Sequence, residues 1–253
     1  MKKLIVLMKA KKIAMCTLAV LALASVAQAD LETIGTATYG GSDYNLIWQP
    51  ASNGFTSLVW LDYSSPTAYW GDQKNWAAGL DTSPTSINID SAYSVDWASS
   101  SWRLPTAGSH PAIGWKVDTT QEMGHLYYDG LGFTGGSSNA GATAPDLAGS
   151  IFNNLALTAY WTSTPDDPTW GTNTAWMFAF KETRSTPYND NVYGYQDIDW
   201  AGTNWLSSTH SGLAVRGADV TQGTPVVPVP GAFLLGSLGL GFAAWRMKRR
   251  KMA

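Results

Sequence analysis

Two apolar runs, each beside a cluster of basic residues, bracket this chain and leave the residues between them to build a water-soluble core. The first is Ile13 to Val26, preceded by Lys2, Lys3, Lys9, Lys11 and Lys12 and followed by Ala27-Gln28-Ala29. A basic start, a short apolar stretch and small residues at an A-x-A site are the pattern of a secretory leader, so residues 1–29 are expected to be removed between Ala29 and Asp30. The second run is Ala232 to Trp245, followed by Arg246, Lys248, Arg249, Arg250 and Lys251. Fourteen helical residues span only ~21 Å against a hydrocarbon core of ~30 Å. Counting from Val226 brings the run near the lower limit for a crossing. A basic stop after such a run is expected to stay in the cytoplasm. An ordinary single-span anchor is the plainer reading.

Setting those ten basic residues aside changes the charge of what remains. The whole chain is at −3, but its interior keeps only Lys74, Arg103, Lys116, Lys181, Arg184 and Arg216 against all 19 acids, a net of −13. Such a surface repels phosphate backbones, which excludes nucleic acid as the expected partner, and it suits cations or a neutral glycan. The single cysteine, Cys16, falls inside the leader. The exported part therefore has no disulfide framework, thiolate metal site or cysteine nucleophile.

Between the two ends the punctuation is that of a loop-rich β protein. Thr36–Tyr39 and Tyr44–Trp48 flank Gly40-Gly41-Ser42-Asp43, which predicts a hairpin. Leu58 to Tyr63 predicts a strand ended by Ser64-Ser65-Pro66. Trp70 to Leu80 carries helical spacing in Trp76, Ala77 and Leu80, and residues 86–98 fit either a weak helix or an irregular strand. Pro105 forces Leu104 into extended geometry. Thr119-Thr120-Gln121-Glu122 reads as a capping box opening a short helix with Met123, Leu126 and Tyr127 on one face. Residues 130–150 read as loop, and so does the Gly130-x-Gly132-x-x-Gly135 pattern, which has no strand before it. Ala175 to Phe180 is the best strand, residues 181–211 are polar with scattered aromatics, and Gly212 to Val220 closes the domain.

Five ordered motifs then stand out: Leu58-Val59-Trp60, Trp102-Arg103-Leu104-Pro105-Thr106, Tyr160-Trp161-Thr162-Ser163-Thr164, Ala175-Trp176 to Phe180, and Ala214-Val215-Arg216. Together they resemble the Lcl C-terminal domain family over residues 35–220, and Glu122 to Tyr128 is similar to versions that carry a sorting tail. The resemblance implies an α+β, C-type-lectin-like fold of short antiparallel strands with one or two short helices, related to the formylglycine-generating and sulfatase-modifying superfamily. The cysteine- or copper-based chemistry of that superfamily does not carry over, because the thiols are absent. The end of the chain resembles a PEP-CTERM sorting signal, with Val227-Pro228-Val229-Pro230 as its motif and Val229 where Glu is commonest. That resemblance implies a Gram-negative bacterium, an exosortase-type protease cutting near the motif, and delivery to the cell surface or exopolysaccharide matrix. The expected organisation is a leader at 1–29, the domain at 30–220, a linker at 221–227 and a sorting signal at 228–253, with its membrane helix at 232–245.

Arg103 and Arg216 have two readings. Each can hold the core through a hydrogen-bonded ion pair or by stacking on a Trp, or it can bind an anionic sugar. Trp102, Trp161 and Trp176 are expected in the core. Trp170, Trp200 and Trp205 lie in turn-rich stretches where exposed indoles could stack on sugar rings. Asp166, Asp167, Asp197 and Asp199 are either solvated loop charge or oxygen ligands for calcium, although no EF-hand or lectin signature accompanies them. His110, His125 and His210 are scattered, without His-Glu-x-x-His or Gly-x-Ser-x-Gly, so no catalytic residue is assigned. The expectation is a non-enzymatic binding or adhesion module for polysaccharide or another surface component, without cofactor. The alternatives are a structural matrix protein without a specific ligand and a polysaccharide hydrolase.

Overall fold

Gly40 and Gly41 both take positive φ, 58° and 83°, and between them reverse the chain in two residues. Two consecutive left-handed residues match the right-handed twist of the strands they join, and glycine adopts that backbone without a Cβ clash. The strands are β1 (Glu32–Tyr39) and β2 (Ser42–Gln49), paired from Tyr39 opposite Ser42 to Glu32 opposite Trp48. The structure is a computed structural model that describes residues 31–52, 54–82, 86–97, 100–116, 120–166, 174–184, 189–201 and 208–223. The chain divides into two units, Met1–Thr221 and Gln222–Ala253, and the elements below belong to the first, with the last strand ending at the boundary.

After the hairpin come β3 (Leu58–Ser64), helix α1 (Trp70–Gly79), β4 (Ile87–Ile89) and β5 (Tyr93–Asp96). The expected helix at Trp70 is present, and the described part of the 86–98 segment, residues 86–97, holds two short strands, the strand alternative of the two. β6 (Gly114–Trp115) precedes helix α2 (Glu122–His125), which runs on into a π-turn at Leu126–Gly130. Next follow β7 (Gly136–Ser137), a 3₁₀ turn at Ser138–Ala140, β8 (Ala159–Pro165) and β9 (Thr174–Ala179). The stretch 181–211, read from sequence as polar with scattered aromatics and given no strand there, contains β10 (Glu182–Arg184), β11 (Asp190–Tyr193) and β12 (Tyr195–Trp200). β13 (Leu213–Gly217) and β14 (Asp219–Gln222) close the unit. The result is sheet-rich α+β with short helices, as the sequence predicts at that level.

The strands form an antiparallel five-stranded sheet in the order β13-β3-β2-β1-β4 and an antiparallel four-stranded sheet in the order β6-β12-β9-β8. A three-stranded ladder, β10-β11-β7, and a β14-β5 pair complete them. Successive side chains of a strand point to opposite faces, and here both faces are covered. On β3, Val59 and Leu61 enter one apolar cluster, with Trp102, Leu104 and Trp161, while Leu58 and Trp60 enter the other, with Met123, Leu126 and Tyr127. On β9, Ala175, Met177 and Ala179 join the first cluster and Phe178 joins the second. Full burial of a side chain such as Phe178 contributes about 1.5–3 kcal/mol relative to exposure. Double burial is why these strands read as near-continuous apolar runs.

The capping box is corrected by the structure. The residue before α2 is Gln121, no side chain caps the helix, and Thr120 Oγ1 instead accepts from the Ser109 N–H at 2.7 Å. Glu122 is drawn away by a stronger partner, the Arg103 guanidinium. The expected apolar face of the helix is present, with Met123, Leu126 and Tyr127 fully buried.

Candidate functional site

The segment Trp102 to Thr106 is a junction. Arg103 exchanges two backbone hydrogen bonds with Val215, at 3.0 and 2.8 Å, which stitches it to β13. Pro105 O accepts from the Ser163 N–H at 2.7 Å, and Ala107 N–H donates to Thr164 Oγ1 at 2.9 Å, which stitches it to β8. Three of the sequence motifs thus meet in space.

The Arg103 side chain is spent in the same way. Its two terminal nitrogens donate to the two Glu122 oxygens, each at 2.7 Å, and the Thr106 N–H donates to Glu122 Oε2 at 2.7 Å. Burial works against the Arg103 charge, but the hydrogen bonds and the field of Glu122 outweigh it and hold the guanidinium above its ordinary pKa. Arg216 lies over Trp97, 4.8 Å from the ring centre, and donates to Asp81 at 3.4 Å. The other Asp81 oxygen accepts from the Trp102 N–H. Of the two readings of these arginines, pairing and stacking in the frame is the one this geometry favours. Trp102, Trp161 and Trp176 are buried, at 2 %, 0 % and 7 % exposure.

The polar chemistry gathers elsewhere, where β10, β12 and the bridge at His210 approach one another. An open surface cavity of ≈ 340 Å³ is lined by Leu157, Thr158, Ala159, Lys181, Glu182, Thr183 and His210. A volume of this order accommodates a small ligand. Asp197 and Asp199 stand two apart on β12 and so share one face of the sheet. His210 Nε2 is 2.8 Å from Asp199 Oδ2, and its ring packs edge-on against Trp161, 4.5 Å between centres. Arg184 lies 5.2 Å over the Tyr195 ring.

The electrostatics of this group are unbalanced. Burial raises the pKa of Glu182, opposed by His210 and reinforced by Asp197 and Asp199. Burial likewise raises Asp197, where the Ile198 N–H and Arg184 pull down and Asp199 pushes up. Asp199 is also penalised by burial, yet hydrogen bonds from His210, Ser208 and the Trp200 N–H overcome that and leave its pKa below the ordinary carboxylate value. Two of the three acids are therefore held at a cost in the folded chain, and a ligand that donates hydrogen bonds or carries positive charge relieves it.

Of the residues singled out in the sequence, Asp197, Asp199 and Trp200 fall on this strand. Trp200 is 44 % exposed, but the alternation of β12 directs it to the face opposite the two acids. Asp166 sits at the end of β8, its carboxylate accepting from Thr174 Oγ1 at 3.1 Å. Among the described residues, no three His, Cys, Asp or Glu side chains are grouped as a metal site. Trp170, Trp205 and Asp167 lie outside the described residues, as do Ala27, Ala29 and Asp30 of the leader. Val227 to Pro230 and the Arg246–Lys251 cluster lie outside them too. Among the described residues no helix is long and apolar enough to cross a membrane. The sequence did not single out Glu182, and it gave Lys181 and His210 only as an isolated charge and a scattered histidine, without their grouping here. The usable signal was the Asp197-x-Asp199 spacing, which on a strand places both acids on one face.

No protein-family model, curated protein or solved structure matches the chain.

Proposed function

We propose that this chain is an exported module of the cell surface or exopolysaccharide matrix that binds polysaccharide or another surface component through the Glu182–His210 cavity. The observation that carries the reading is the cavity itself, lined by residues with hydroxyl, ammonium, carboxylate and imidazole groups and with Asp197 and Asp199 close to its Glu182 and His210. Carboxylates that can only accept hydrogen bonds suit the hydroxyls of a neutral sugar or the ammonium of an amino sugar. The net charge of the interior argues against an anionic chain. Calcium is the competing occupant of the same carboxylates, and a calcium-dependent rise in melting temperature would assign it there.

A C-type-lectin-like fold is part of the same reading. It is supported by the return of the C-terminal strand β13 to the N-terminal sheet beside β3, and by the meeting of the Trp-Arg-Leu-Pro-Thr, Tyr-Trp-Thr-Ser-Thr and Val-Arg segments. The Lcl C-terminal resemblance rests on those motifs. Export rests on the leader, and membrane tethering followed by exosortase-type cleavage rests on the Val-Pro-Val-Pro tail. Deleting residues 228–253 is expected to release the protein from the membrane fraction; a deletion variant still found there would overturn the tethering. Binding is tested with purified protein on arrays of neutral, amino and acidic polysaccharides. The reading expects the first two to bind and the third not, and it fails if no glycan binds.

A further inference from the structure

A second polar arrangement lies in the chain, assembled from residues 77 positions apart. Ser52 Oγ is 3.1 Å from His125 Nε2, and His125 Nδ1 is 2.8 Å from Asp129 Oδ2. We propose that Ser52 is an activated nucleophile, with His125 as its base and Asp129 as the group that orients the base, and that it cleaves acyl esters presented at the protein surface.

The order of contacts carries the argument. Carboxylate oxygens accept hydrogen bonds, so Asp129 fixes the His125 proton on Nδ1 and leaves the Nε2 lone pair facing the serine hydroxyl. That is the arrangement needed to draw the proton from Ser52 as its oxygen attacks a carbonyl. A histidine with only a packing role needs two partners, but not this order of them.

The local structure holds the ring in place. His125 ends α2 and Asp129 follows it by four residues in the π-turn, one turn along the same face. The His125 side chain is 1 % exposed, and the Phe55 ring lies parallel to it at 3.8 Å between centres and 6° between planes. The Phe55 N–H donates to Ser52 O at 2.8 Å, and Gly54 takes φ 88°, so the loop folds back to lay Phe55 over the imidazole. Ser52 and Asp129 are partly exposed, which leaves the reacting oxygen within reach of a substrate on the surface. Lys116 Nζ stands 3.8 Å from the second Asp129 oxygen.

In the reaction, a bond forms between Ser52 Oγ and the acyl carbon while the hydroxyl proton passes to His125 Nε2. The ester C–O bond then breaks and the alcohol leaves with that proton. Water, deprotonated by His125, attacks the acyl-serine, releases the carboxylic acid and restores the hydroxyl. No other reactant is consumed. The inference goes beyond the glycan-binding reading and does not depend on it.

The test uses the full chain, purified in mild detergent and treated with a fluorophosphonate, which phosphonylates an activated serine and releases fluoride. Intact mass and peptide mapping are expected to show one adduct, on Ser52. Ser52→Ala removes it. Asp129→Asn presents an amide donor to Nδ1, turns the imidazole proton toward the serine and slows labelling on the order of 10²-fold or more. Both variants are expected to melt close to wild type. Absence of a Ser52 adduct on folded wild-type protein overturns the proposal, as does an Asp129→Asn variant that labels at the wild-type rate.

Discussion

Replacing Arg103 with alanine isolates the junction on which the fold depends. The substitution removes two charged hydrogen bonds of 2.7 Å from Glu122 and leaves that carboxylate with the Thr106 N–H as its remaining contact at that distance. Glu122 is 10 % exposed at its side chain, so water replaces little of what is lost there; Arg103 is 37 % exposed, so part of its charge was already screened. Hydrogen bonds to charged groups contribute about 1.5–3 kcal/mol each, and a discount for the exposed partner leaves a cost of about 2–4 kcal/mol. For a domain of this size that corresponds to a fall in Tm of roughly 5–15 °C. Arg103→Lys should fall between, because an ammonium cannot engage both oxygens in the planar geometry of a guanidinium. Urea unfolding of Arg103→Ala, Glu122→Gln and the double variant measures the coupling, expected to exceed about 1 kcal/mol. An Arg103→Ala protein that melts like wild type, or a coupling near zero, would show that the Arg103–Glu122 pair does not hold the junction.

Two further outcomes follow from other places in the fold. Gly194 has φ 64°, and a Cβ there would lie 2.6 Å from the Tyr127 ring and 2.8 Å from the Tyr128 hydroxyl. Gly194→Ala is expected to cost about 2–5 kcal/mol from left-handed strain and overpacking together, read as a lower urea midpoint. Beside the Glu182–His210 cavity, burial raises the pKa values of Glu182 and Asp197, so their ionised forms cost more in the folded chain than in the unfolded one. Their contribution to stability is fully present below the unfolded carboxylate pKa of about 4 and is lost as the pH rises through the folded value. Glu182→Gln and Asp197→Asn should therefore raise Tm near neutral pH, with the gain shrinking as the pH falls toward about 4. A lower Tm in both variants at neutral pH would contradict that sign.

Much of the frame was legible because its signals are local. The Gly40-Gly41 turn, the Leu58 to Tyr63 run, the helix at Trp70 and the strand at Ala175 each carry their pattern within a few residues. Residues 181–211 were not legible in the same way. The alternation of Glu182, Arg184, Asp197 and Asp199 is interrupted by Asn and Gly, and the apolar partners of β12 come from β9, some twenty residues earlier. Glu122 was misread because a capping box is a local pattern, whereas its actual partner, Arg103, lies 19 residues upstream. The candidate site was half visible, since the sequence marked Asp197 and Asp199, whereas His210 is brought to Asp199 by backbone pairing of its own segment with Ala68 and with β8. Ser52, His125 and Asp129 carry no shared motif: His125 and Asp129 are neighbours on one helical face, and the fold then brings Ser52 to them from 73 residues upstream of the histidine.

The proposed glycan site is the Glu182–His210 cavity. The direct measurement is calorimetric titration of a neutral or amino polysaccharide into wild-type protein and into Glu182→Gln. Saturable binding to wild type is expected, weakened about tenfold or more in Glu182→Gln, since a charged hydrogen bond to ligand contributes about 1.5–3 kcal/mol. Equal affinity in the two proteins, or no heat of binding in either, would rule this site out.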